Sequence, residues 1–154
     1  MRAFFINRKI LLKTYKLTEI FSGLEKIPCL KRLFGKNTAE ILNKVKVCVK
    51  NNNYYFYIAP KSGNIIASKK YIQNGAKWMI YLDILHELAR IKQFREGKNL
   101  YDMKYTYAKR KTEINAYKFC TKEAKRIGRS KKQIINYLKV PWISKKDCME
   151  LAGK

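Results

Sequence analysis

Acidic side chains are scarce in this sequence. Eleven Asp and Glu face 35 Lys and Arg, which leaves a formal charge of +24. A folded body with that excess repels itself unless anions neutralise it. The common biological neutralisers are nucleic-acid phosphates, with anionic membrane second. A coding bias toward Lys, Ile, Asn and Tyr would enrich Glu as well, so the lack of compensating acid carries information that the lysines alone do not. Histidine is scarcer still, with His86 the single residue of its kind. No apolar run reaches the roughly 18 residues of a membrane span, so none is expected. The four cysteines, Cys29, Cys48, Cys120 and Cys148, form no CxxC pair. Their spacing fits neither a zinc ribbon nor a dense disulfide framework, and buried thiols in a reducing compartment are the expectation, with two disulfides as the alternative. Repeats and low-complexity linkers are absent too. The start of the chain, residues 1–16, is apolar and basic, but Asn7, Arg8 and Lys9 break its apolar stretch and no small-residue cleavage site follows. A signal peptide is therefore not expected, and a surface-binding amphipathic segment is the alternative. The expected location is intracellular, or within a nucleoprotein particle.

What is present suffices for a core. Hydrophobic residues make up 47% of the chain, and 11 Tyr and 7 Phe stand among them, so a single domain over residues 1–154 is expected rather than disorder. The charge is not a detachable tail: residues 1–77 hold 16 basic and 3 acidic side chains, and residues 78–154 hold 19 and 8. Residues 1–44 read as short helices punctuated by Pro28 and Gly35, with Asn37–Thr38 as a capped helix start. Over 45–68 the period changes. Val45, Val47 and Val49 alternate with Lys46, Cys48 and Lys50, Tyr54–Ala59 reads as a second strand, Pro60–Asn64 as a turn and Ile65–Ser68 as a third strand, which predicts a small antiparallel β-meander. Helices are predicted from Trp78 to Glu96, stopped by Gly97, and from Arg110 to Ile127, stopped by Gly128. A third starts at Ser130 and a short last one at Ser144, completing a helical part over 78–151. The fold class is α+β, a meander packed among several helices.

The helix from Trp78 is apolar on most sides, yet it carries His86-Glu87-Leu-Ala-Arg90-Ile-Lys-Gln93. Downstream stands Glu113-Ile-Asn-Ala-Tyr117. Periodicity alone places Glu113, Tyr117, Cys120 and Ala124 on one apolar helix face, where an acid needs a partner. Together the two segments resemble the HELxHxxQ helix and EIxAY segment of small zincin-like proteins of the gluzincin type. The resemblance covers roughly residues 65–125. It implies a zincin-like central helix, with zinc held by two histidines one turn apart and by a Glu from the next helix, and with the Glu of HExxH as general base. His86, Glu87 and Glu113 match. Arg90 does not: it stands where the second histidine belongs, has no lone pair to give, and repels a dication. The expected site is therefore degenerate, without catalytic residues, metal or cofactor, and the Arg90 guanidinium is expected to fill the vacated position by pairing with Glu113 and Glu87. The bland alternative is a satisfied core histidine beside an ordinary i,i+3 ion pair. Zinc enters only under a rival reading, a metallopeptidase-like hydrolase with an unusual ligand set.

The helix after Arg110 carries a second pattern. Lys111, Lys118, Lys122, Lys125 and Arg129 recur at helical spacing opposite the Glu113 face, flanked by Lys109, Arg110 and Arg126 and followed by Lys131 and Lys132. Such a ridge can follow a phosphate backbone; the alternative is a solvated lysine face. Tyr54, Tyr55, Tyr57, Tyr101, Tyr105 and Tyr107 are candidates for stacking on bases or for packing. No readout motif is present, so binding should tolerate sequence. The sequence thus points to a non-enzymatic nucleic-acid or other polyanion binder, for which a structural or packaging role is an expectation, with membrane surface and homo-oligomer as further candidate partners.

Overall fold

The computed structural model describes residues 1–153. In chain order the elements are β1 Phe5–Ile6, β2 Thr14–Lys16, α1 Leu17–Ile20, β3 Phe21–Ser22, α2 Pro28–Phe34, α3 Thr38–Lys44, β4 Lys46–Lys50, β5 Phe56–Ile58, β6 Ile65–Ser68, α4 Lys69–Asn74, α5 Lys77–Arg95, α6 Lys111–Arg126, α7 Lys131–Leu138 and α8 Lys145–Leu151. The architecture is α+β, as the patterning predicts. No described helix is long and apolar enough to cross a membrane.

The sheet departs from a simple meander. Its order is β2-β4-β6-β5, with β4 and β6 parallel and the other two pairings antiparallel. Burial gives a reason. Val47 and Val49 of β4 and Ile65 and Ala67 of β6 are buried, so these strands take the centre, whereas β5 exposes Tyr57 and takes an edge. The chain leaves β4, runs past the place of β6 to form β5, and returns through the Pro60–Asn64 turn to insert β6. Parallel neighbours need such a long connection.

Residues 1–44 are not simply short helices. β1 pairs with β3, and β2 supplies the fourth strand through Thr14↔Cys48 and Tyr15↔Val47. Strands of two or three residues are too short to show a period. The basic N-terminal segment is not a free amphipathic arm, since Phe4 and Ile10 are in the core. Helix α3 starts where expected, but the Asn37 side chain does not cap it; the Thr38 hydroxyl donates instead to the Gly35 carbonyl at 2.6 Å. Helix α4, not anticipated from the sequence, is capped by the Ser68 hydroxyl, which accepts from the Tyr71 N–H.

Helix α5 is the axle of the domain, buried almost continuously from Ile80 to Ile91. It ends at Gly97, whose φ of +78° closes the turn without a Cβ penalty. Three side-chain ties fix α6 against it: Gln93 Nε2 to the Thr112 carbonyl at 3.0 Å, His86 to Glu113 at 3.0 Å, and the Tyr81 hydroxyl to Glu123 at 2.8 Å. As the α5 numbers fall the α6 numbers rise, so the two helices run antiparallel. Among the described residues all four cysteines are free thiols; Cys29, Cys120 and Cys148 are buried and Cys48 is half-buried.

Candidate functional site

The polar residues of α5 form one stripe. Asp83, His86, Glu87, Arg90 and Gln93 follow at intervals of three, one, three and three, which is a single helix face, and that face meets Glu113 at the start of α6. Arg90 bridges the two glutamates: Nη1 donates to Glu87 Oε2 at 3.2 Å, and Nη2 lies 3.1 Å from Glu113 Oε1. His86 Nε2 takes the other oxygen of Glu113 at 3.0 Å. The group is buried: Glu113 fully so, and Arg90 is 2% and His86 4% exposed. Around it, the Arg90 guanidinium lies 5.2 Å from the Tyr101 ring centre, and the Tyr117 ring lies 4.3 Å from that of His86. Asp83 stands one turn earlier and accepts from the Tyr71 hydroxyl and, at 2.5 Å, from the Tyr137 hydroxyl.

Titration follows from these contacts. Burial opposes charge on His86, but the Cys120 thiol, Glu113 and Glu87 outweigh it and push its pKa up to about 10. Glu113 is the direct partner of this ring, at 3.0 Å from Nε2, whereas Nδ1 has no aligned hydrogen-bond partner. Burial also opposes ionisation of Glu113, yet His86 and Arg90 keep its carboxyl below the usual range. Glu87 is pushed up to about 7 by burial, against the pull of Arg90 and His86. Burial raises Asp83 to about 6 despite its tyrosine donors. The cluster at neutral pH is thus built from two buried cations facing buried acids.

A pH dependence follows. An unfolded imidazole loses its proton near 6.5, whereas folded His86 keeps its proton to about 10. Between those values the folded state binds more protons than the unfolded chain, so stability falls as pH rises. Raised Glu87 acts in the same direction between 4.5 and about 7. Urea unfolding from pH 6.5 to 10 should therefore show a decline that His86→Gln flattens; an equal slope in both proteins would contradict the assignment of the proton.

The donor set does not fit zinc. His86 and Glu113 offer two ligands, they are bonded to each other, and a guanidinium sits against the second. No group of three or more His, Cys, Asp or Glu among the described residues is placed to hold a metal ion. A catalytic zinc takes three protein donors and an open position.

Comparison with known family models, curated proteins and solved structures finds no match.

The structure divides the expected cationic ridge. Lys111, Lys118, Lys122, Lys125, Lys131 and Lys132 are exposed and make no ion pair among the described residues. Four of the expected members make other contacts, and two of these, Lys109 and Arg126, are paired with acids. Lys109 reaches Asp147 at 3.2 Å and Glu150 at 3.3 Å, and Arg126 reaches Glu123 at 2.6 Å. Arg110 donates to the Asp102 carbonyl at 3.2 Å, and Arg129 lies 4.8 Å from the Trp78 ring centre. An acid three residues before Arg126 was a readable signal; the α8 acids opposite Lys109 were not, because that pairing depends on tertiary placement. Trp142 carried no signal of its own in the sequence. It follows Pro141 in a break between helices, and it lies 41% exposed over the polar cluster, beside Tyr54, Tyr55 and Tyr107.

Proposed function

We propose that this chain is a non-enzymatic, sequence-tolerant binder of nucleic acid or a similar polyanion, built on a zincin-like scaffold in which Arg90 takes the place of the metal. The observation that carries the proposal is the fate of the acids. Glu40, Glu87, Glu96, Glu113, Glu123, Asp147 and Glu150 each face a cation of the same chain. Asp83 is held by tyrosines, and Glu19 caps the Lys16 N–H. Little internal acid remains to answer the lysines of α6 and α7, and an external polyanion is the partner that would answer them. A place inside a cell or a nucleoprotein particle, in a structural or packaging role, suits such a protein.

Each phosphate contact releases condensed counterion, so log K falls with log salt at about 0.9 per contact on duplex DNA. Replacing Lys118, Lys122 and Lys125 together by alanine should therefore reduce that slope by up to about 2.7 and weaken binding to every duplex sequence alike. Anisotropy titrations at several salt concentrations check this. An unchanged slope would remove the ridge from the interface, and a loss confined to one sequence would contradict backbone recognition.

A further inference from the structure

The polar cluster does not end at a closed core. Above it opens a cleft of about 440 Å³, with Tyr54, Tyr57, Tyr107 and Trp142 among its walls and Arg90, Arg110 and Glu113 also lining it. That volume falls within the range of about 300–1,000 Å³ usual for small-ligand sites. The walls are rings set edge to face or tilted, not stacked shut: Tyr54–Tyr57 at 6.4 Å and 85°, Tyr54–Trp142 at 6.2 Å and 49°, Tyr107–Trp142 at 6.2 Å and 86°. Tyr54 is 61% and Trp142 41% exposed, so flat aromatic surface is left to water. In the polar lining, Arg90 Nη2 and Glu113 Oε1 face each other at 3.1 Å, whereas Arg90 Nε is buried without an aligned hydrogen-bond partner, although such groups are ordinarily satisfied.

The charges at the cleft choose its occupant. Aromatic boxes of this kind hold quaternary ammonium groups elsewhere, but two guanidiniums against one carboxylate would repel a cation. A flat, hydrogen-bonding ligand attached to an anion satisfies every wall. We propose that this cleft takes an unpaired nucleobase, stacked against Trp142 and the Tyr54–Tyr57 pair, with the adjoining phosphate on Arg110. Lys111 follows Arg110 in the chain and begins the exposed lysines of α6, so a single strand entering the cleft would continue along them. The inference rests on the nucleic-acid reading and narrows it: the ridge meets phosphates of any strand, whereas the cleft admits only a base that is out of a duplex. Stacking on an aromatic ring is sequence-tolerant, because every base has a π-face.

The test compares a labelled single-stranded oligothymidylate with a duplex of equal length, at one salt concentration, against the wild-type chain, Trp142→Ala, Trp142→Phe and Tyr54→Ala. Trp142→Ala should weaken single-strand binding by about 5- to 150-fold, the loss of one stacked base. It should leave duplex binding within about twofold, because phosphate contacts supply that term. Trp142→Phe should recover most of the loss. Tyr54→Ala, at a more exposed position, should show the same selective loss, and it decides the matter if Trp142→Ala fails to fold. If both strands bind and these variants weaken neither, or weaken both equally, the cleft proposal falls and the polyanion reading stands. If the wild-type chain binds neither strand, both fall.

Discussion

Replacing Arg90 by alanine should destabilise the folded protein by about 3–5 kcal/mol, the usual consequence of removing one partner from a buried ion pair. Total stabilities of natural domains run about 5–15 kcal/mol, so the variant would sit near the edge of folding. The loss should not fall evenly on the two glutamates. Glu113 keeps His86 at 3.0 Å, whereas Glu87 has Arg90 as its only ion-pair partner among the described residues. Glu87 is already pushed up to about 7 by burial, and without the guanidinium it should take up a proton more readily still. The destabilisation should therefore be smaller at pH 5 than at pH 8, because a protonated Glu87 needs no cation. Urea unfolding of Arg90→Ala at the two pH values measures both effects. Adding Glu87→Gln should recover part of the loss, since contacting charges couple by about 0.5–3 kcal/mol in a double-mutant cycle. A destabilisation below about 1 kcal/mol at pH 8 would show the pair to be no more than a surface-like contact.

Converting Arg90 to histidine should do the opposite of alanine once zinc is supplied. The new imidazole would lie one helical turn from His86 on the same face, opposite Glu113, and would complete a set of three neutral or anionic donors with a position left open. Without metal the variant should be less stable than the wild type, for the reason that applies to alanine. With free zinc at about 100 times its dissociation constant, the folded state should gain about 2.7 kcal/mol. The wild-type chain should show no such gain, because its guanidinium repels a dication. Thermal unfolding with and without zinc, together with metal analysis of the purified proteins, gives the answer. Stoichiometric zinc in the wild type would overturn the account of the cluster and revive the hydrolase reading; a variant indifferent to zinc would show that the scaffold does not hold a zincin-like geometry.

The legible and illegible parts of this molecule divide by range. The long helices could be read because α5 is apolar over many turns and Gly97 and Gly128 mark stops. His86, Glu87, Arg90 and Gln93 were visible as an interruption of that apolar run, and Glu113 as an acid on an apolar face, whereas the place of Asp83 on the same stripe came from the structure. Residue chemistry then left Arg90 as the natural bridge, and the structure puts its guanidinium against both carboxylates. Pairing order could not be read in the same way. Alternation in Lys46–Lys50 says that one face is buried, but not whether the partner is β5 or β6, and that choice was made by which strands have apolar residues enough for the centre. The same limit applied to Lys109. Arg110 and Lys111 after it are basic too, and only the packing of α8 brings Asp147 and Glu150 to it. Trp142 escaped notice because a lone aromatic beside a proline resembles a turn residue, and nothing local reveals the tyrosines that converge on it.

Uncompensated positive charge on the surface is what this protein would offer a polyanion. The most direct measurement is the affinity of the intact wild-type chain for a random-sequence DNA duplex as salt is raised from about 50 to 200 mM. Six or more phosphate contacts would lower it by about a thousandfold or more over that interval. Binding that is already weak at the low end, or that holds constant across the range, would contradict the account.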